Sequence, residues 1–179
     1  MEVYTLRADV NKYRGIYYIN ADDIVEFNRR FDGTPMKETW TGKEQFAYIP
    51  DRLRKGDTPG LSTHIPVFGL KAVATLEDFL RPNGELLPMT CDGERLFLFN
   101  VTRVVDALDE DNCELERFSS GRIMDVESFS FFQRKLSGII VFKIPQLILM
   151  DVFVTEPFVE RVKTAKLKGF KFRLVWSSD

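Results

Sequence analysis

Gly84-Glu85-Leu86-Leu87-Pro88-Met89-Thr90-Cys91-Asp92-Gly93-Glu94-Arg95-Leu96-Phe97-Leu98-Phe99-Asn100-Val101 decides the fold. Two apolar runs flank Cys91-Asp92-Gly93. Asp-Gly in that place is a strong hairpin signal, because glycine accepts the positive φ of a tight turn. Leu96-Phe97-Leu98-Phe99 is apolar at every position. A strand apolar on both faces must be covered on both sides, so the hairpin is expected in the middle of a domain. Just beyond it the chain turns acidic, with Asp106, Asp109, Glu110, Asp111, Glu114 and Glu116. Interior and surface meet within one stretch.

Before the hairpin, Val3–Leu6 and Tyr13–Ile19 read as short strands. Asn20 offers a helix cap, and Ile24, Phe27 and Phe31 fall on one helical face ahead of Gly33. Pro50 to Pro66 holds Lys55-Gly56-Asp57-Thr58-Pro59-Gly60, a cluster of breakers that reads as a loop. Leu70, Val73, Leu76, Phe79 and Leu80 form the apolar face of a second helix, ended by Arg81-Pro82-Asn83-Gly84. After the hairpin, Arg122 to Phe132 alternates loosely, and Ile139–Ile144 and Leu147–Val154 read as strands around Pro145. Thr155 is placed to cap a last helix running to about Leu167, closed by Gly169. Phe170, Phe172, Leu174 and Trp176 then alternate with Lys171, Arg173 and Val175 as a half-buried closing strand. The sum is an α+β fold, a mixed and largely antiparallel sheet with about three helices. The expected organisation is a single domain over 1–179, divisible into a smaller N-terminal lobe (1–50), a loop (51–66) and a main lobe (67–179).

At 179 residues such a chain buries about 70% of the surface it exposes when unfolded. Sixteen Phe favour a sheet-rich, aromatic core. A net charge of −2, from 25 basic and 27 acidic residues, gives no global attraction to nucleic acid or anionic lipid. Two cysteines, Cys91 and Cys113, are too few for a disulfide framework and fit a reducing compartment. The first residues lack a secretion-signal pattern, and no apolar run approaches the ~20 residues of a membrane helix. The expectation is a cytoplasmic protein that binds neither nucleic acid nor membrane.

Catalytic inventory is thin. His64 is the sole histidine and reads as a surface loop residue in Thr63-His64-Ile65-Pro66. Three Cys and His residues in total fall short of the four that a zinc site wants, and no phosphate-binding glycine motif is present. No metal and no cofactor are expected. Asn100-Val101-Thr102 matches a glycosylation sequon but lies on or beside an apolar strand. Asp151, inside Leu149-Met150-Asp151-Val152-Phe153, reads as pointing outward from an edge strand; if buried it would need a partner or a raised pKa. The basic set Arg161, Lys163, Lys166, Lys168, Lys171 and Arg173 reads as a solvated helix end, and Phe129, Phe131 and Phe132 as core.

Several stretches, in order, resemble one family. They are Phe31-Asp32-Gly33-Thr34-Pro35 with Trp40; Lys55-Gly56-Asp57 with Pro66-Val67-Phe68; Gly84-Glu85-Leu86-Leu87-Pro88; Phe99-Asn100-Val101-Thr102-Arg103-Val104-Val105-Asp106-Ala107-Leu108-Asp109; and Phe158-Val159 through Leu167-Lys168-Gly169-Phe170-Lys171-Phe172 to Trp176. Together, from about residue 30 to 176, they are similar to the bacterial immunity proteins of polymorphic toxin systems grouped as immunity family eleven. The resemblance implies a protein that binds and neutralises a cognate toxin C-terminal domain encoded beside it, by stoichiometric occlusion. It carries no catalytic motif. Enzymatic reversal of the toxin's modification and a toxin-loading adaptor are the alternatives. The expected contact surface is Asp109, Glu110, Asp111, Glu114 and Glu116, because toxins acting on nucleic acid or nucleotides are often basic.

Overall fold

A computed structural model of the chain describes residues 1–178. Strands β1 (Glu2–Ala8) and β2 (Ile16–Tyr18) lead to a short helix α1 (Ile24–Arg29), then β3 (Gln45–Tyr48) and β4 (Val67–Phe68). Helix α2 (Leu70–Leu80) precedes the hairpin of β5 (Gly84–Cys91) and β6 (Glu94–Val101). A ribbon of β7 (Glu114–Arg117) and β8 (Ile123–Ser128) follows. Then come β9 (Val141–Phe142), β10 (Phe153–Thr155), α3 (Glu156–Thr164) and β11 (Phe170–Ser177). The fold is α+β. One sheet runs β11-β1-β10-β9, a second β2-β3-β5-β6-β4, and β7-β8 form a third. Strand pairs are antiparallel except β3 with β5, which makes the second sheet mixed.

The hairpin takes the central place its composition demands. Asp92 (φ 46°) and Gly93 (φ 80°) both adopt left-handed backbone, the geometry of a two-residue turn. Register is unbroken from Cys91 opposite Glu94 to Gly84 opposite Val101. Leu87, Met89, Leu96 and Leu98 enter a core with Phe27, Phe31 and Phe46. Phe99 and Val101 enter another, formed with Ala72, Leu76 and Leu80 of α2 and Phe158, Val159 and Val162 of α3. A third core is aromatic: Phe129, Phe131, Phe142 and Phe153 stack or meet edge to face, with ring centroids 5.4–6.1 Å apart.

Polar groups fix the loop after α1 to this hairpin. The Glu85 carboxylate accepts the Met36 N–H (2.8 Å) and the Asn100 side-chain amide (3.0 Å), which also donates to the Thr34 carbonyl (2.9 Å). Asn100 is fully buried. The sequon therefore marks an interior hydrogen-bonding residue.

Several local expectations are corrected. Ile139–Ile144 and Leu147–Val154 are strands only at Val141–Phe142 and Phe153–Thr155. Pro145 opens a 3-10 turn over Pro145–Leu147, where its missing N–H is no loss. The N–H groups of Met150 and Asp151 then fold back on the Leu147 carbonyl. Asp151 is buried in that turn and ion-paired with Arg7. Asn20 precedes a 3-10 turn over Ala21–Asp23, so Asp23 stands at the N-cap of α1. Thr155 is the N-cap residue of α3, but its hydroxyl donates to the Ile139 carbonyl (2.9 Å), and the helix ends at Thr164. In β11 the alternation breaks at Leu174, which is 49% exposed. The cause is a register shift between Val3 and Tyr4 on the partner strand.

Lys143 ties three segments together. Its side chain is completely buried, and its ammonium donates to the Phe31 carbonyl at 2.6 Å. Its own N–H donates to the Arg103 carbonyl (2.9 Å), and its carbonyl accepts the Val105 N–H (2.8 Å). Burial pushes the ammonium from 10.5 down to about 8, with the Asp32 carboxylate opposing the shift. The folded chain thus releases this proton near pH 8 and the unfolded chain near 10.5. Between those values the unfolded state binds more protons, so stability rises with pH. Cys91 acts oppositely at higher pH. Burial pushes its thiol from 9.0 up to about 12, so the folded form keeps a proton that the unfolded form loses.

The Lys143 contribution is therefore readable between pH 7 and 9, where it should raise the unfolding free energy by roughly 1 kcal/mol. Urea titrations across that range should show the rise in the wild type and its loss in Lys143→Met. A second test concerns Gly84. A Cβ built there lies 2.3 Å from the Asn100 carbonyl oxygen and 2.7 Å from the Phe99 ring. Gly84→Ala should destabilise by about 1–3 kcal/mol, read as a lower urea midpoint; an unchanged midpoint contradicts this packing.

Candidate functional site

The acidic stretch lies on and just before the β7–β8 ribbon. Its turn follows from sequence: the Gly121 N–H donates to the Phe118 carbonyl and the Phe118 N–H to the Arg122 carbonyl, each at 2.9 Å. Gly121 takes φ 82°. A type I turn closed by a left-handed glycine is a common hairpin connection. Val126 is buried and Leu115 and Ile123 are partly buried against the third core. The base is pinned by Asp109 N–H to the Ser130 carbonyl (2.9 Å) and Phe132 N–H to the Ala107 carbonyl (2.9 Å). Apolar residues hold the ribbon down; its acids stay in water.

The five acids expected to meet a partner separate into two kinds. Glu110 is partly buried, accepting from Arg117 (2.7 Å) and Gln146 (3.0 Å). Those two contacts, the Arg117 one first, hold its carboxyl below the usual range. Asp109 accepts from the Asn112 side chain (2.9 Å). Both are occupied in shaping the 3-10 turn over Glu110–Asn112. Asp111, Glu114 and Glu116 are exposed and form no ion pair among the described residues.

Strand pairing brings in acids that linear reading missed. Asp125 stands directly opposite Glu116, and exposed Glu127 lies two residues on. Like charges directly opposite across a strand pair repel, so the ribbon carries unrelieved negative charge. The available signal was Phe118-Ser119-Ser120-Gly121, a turn separating two short runs. Reading it as a hairpin would have placed Asp125 beside Glu116.

The remaining candidates have structural duties. His64 is buried, a correction to the surface reading: its Nε2 faces the Asn28 carbonyl (3.0 Å) and its Nδ1 the Ser62 hydroxyl (2.9 Å). Burial lowers its pKa, with the Lys143 charge adding to the effect. The void beside Ser62 measures about 20 Å³, room for a water molecule and too small for a substrate. Arg161 is spent on Asp78 (3.1 Å) and the Phe79 ring, and Lys163 on Glu160 (3.0 Å). Phe129 and Phe131 are core, whereas Phe132 is 41% exposed with the Lys135 ammonium over its ring. Among the described residues, no group of three or more His, Cys, Asp or Glu is placed to hold a metal ion, and no helix is long and apolar enough to cross a membrane.

Residues 88–176 match the model of an immunity protein family, Imm11. Over that span the chain belongs to that family. No curated protein matches it. The matched span begins inside β5 and ends in β11, so the whole acidic ribbon of this immunity protein lies within it. It is narrower than the resemblance read from residue 30 onward. Family membership implies a cognate toxin as partner.

Proposed function

We propose that this immunity protein neutralises its cognate toxin stoichiometrically, by docking a preformed surface over the toxin's active site or substrate path. The contact surface includes the acidic ribbon: Asp111, Glu114 and Glu116 face the toxin, with Asp109 and Glu110 holding the adjoining turn in shape. The reading places the event in the cytoplasm, where the toxin would reach the cell's own machinery. What supports it most is the repulsive Glu116–Asp125 pairing on a ribbon firmly anchored by aromatic core. A basic partner would relieve that repulsion, and charge complementarity speeds encounter while penalising wrong partners. An interface of this kind buries roughly 1,200–2,000 Å² in total.

Titrating toxin activity with purified protein tests the mechanism. Activity should fall linearly to a break at a fixed molar ratio. Protection by substoichiometric amounts would indicate turnover, and binding without inhibition an adaptor. The surface is tested separately: the triple charge reversal Asp111→Lys, Glu114→Lys, Glu116→Lys should slow association roughly 10- to 100-fold at low salt. It should also flatten the salt dependence. An unchanged association rate would place the interface elsewhere.

A further inference from the structure

Beside the ribbon lies a groove of about 550 Å³, between the ribbon's turn and the segment following Pro145. Phe118, Met124, Leu149 and Met150 line it and are 46%, 40%, 38% and 39% exposed. Large apolar side chains scattered singly over a surface mean little, but four gathered in one groove mark a contact site. Two of them are methionines, whose flexible thioethers adapt to whatever they meet. The groove's own charges are nearly balanced. Glu110 and Arg117 pair with each other at one wall (2.7 Å), and Arg122 sits over the Phe118 ring (5.7 Å). The same ribbon, to which Arg117 and Arg122 belong, carries exposed Glu114, Glu116, Asp125 and Glu127 outside the groove's lining, without ion pairs among the described residues.

We propose that this groove receives an apolar anchor of the cognate toxin, on a segment whose flanking residues are basic. The inference rests on the toxin-binding reading and specifies the partner's chemistry. The groove takes the anchor; the ribbon's carboxylates take the neighbouring Lys or Arg side chains. Charge complementarity decides the occupant, since a segment reaching from the groove onto the ribbon would meet unpaired carboxylates there, which repel acids and attract bases. Buried anchors govern how long a complex lasts, while peripheral charges govern how fast it forms. The two surfaces should therefore separate kinetically.

The chain's five methionines provide the probe. With 13C-labelled methyl groups, addition of the toxin domain encoded beside this gene should shift the Met124 and Met150 signals. The signals of Met36 and Met89, which are 8% and 3% exposed, should stay in place. Met124→Asp and Leu149→Asp should each weaken binding roughly 30- to 100-fold, through faster dissociation and with the salt slope unchanged. Their thermal midpoints should stay near the wild type, since both side chains are already half in water. If the toxin domain binds while both methyl signals stay fixed and both variants bind within threefold of the wild type, the groove proposal is overturned and toxin binding stands. Failure of the wild type to bind the toxin domain removes both. A dimer of the protein alone, dissociated by Met124→Asp, would assign the groove to a second copy and overturn the proposal.

Discussion

An ammonium with no access to solvent constrains this molecule more tightly than any single apolar contact. The Lys143 ammonium donates a hydrogen bond to the Phe31 carbonyl, and its own backbone is held between Arg103 and Val105. Phe31 belongs to the core beneath one face of the hairpin, whereas Phe142 and Ile144 on either side of Lys143 belong to the aromatic core. A buried charge tolerates little displacement, because a lost partner leaves it uncompensated at a penalty of several kcal/mol. The two cores are thereby held in one register. Arg7–Asp151 and the links from Glu85 and Asn100 to Met36 and Thr34 do the same at other seams, each joining residues far apart in sequence. Polar contacts of this kind contribute more to uniqueness than to net stability.

That rigidity sets what the surface can do. The ribbon is two strands wide, and an isolated two-stranded hairpin is marginal in water. Here Val126 and Leu115 press it onto Phe129, Phe131 and Phe153. The backbone that carries its outer carboxylates is consequently held in place before any partner arrives. A preformed surface loses little conformational freedom on binding, so more of the contact energy appears as affinity.

Some of this was legible in sequence and some was not. The Asp92-Gly93 turn and the doubly apolar β6 specify the hairpin without tertiary information, because the constraints are local: positive φ and the alternation of side chains. The faces of α1 and α2 were legible in the main for the same reason, except that Leu70 at the start of α2 is 61% exposed and Ala72 is buried in its stead. Leu147–Val154 failed because apolar composition alone does not distinguish a strand from a buried turn, and the deciding partner of Asp151 lies at Arg7, 144 residues away. His64 failed likewise, since its burial depends on the Asn28 carbonyl. Leu174 was misplaced by a bulge that exists only in the pairing with β1. At the site, the acidic run was visible as composition. Its hairpin pairing could have been read from the Phe118–Gly121 turn, but the shape-holding role of Glu110 depends on Gln146, 36 residues away, and no local pattern carries that.

For an inhibitor of a catalytic toxin, encounter and release are separate requirements. One free toxin molecule turns over many substrates, so protection depends on how briefly the toxin is ever unbound. Fast association answers newly arrived toxin, and slow dissociation keeps captured toxin silent. Charges act over a Debye length of about 8 Å at physiological salt and serve the first need; desolvated apolar contacts act only on touch and serve the second. Exposed carboxylates alone would give a complex quick to form and quick to fall apart, as well as indifferent among basic proteins. An apolar groove alone would bind slowly and invite aggregation. If the proposed interface holds, setting the carboxylates on the anchored ribbon and the groove beside it would let one approach direction satisfy both needs in sequence.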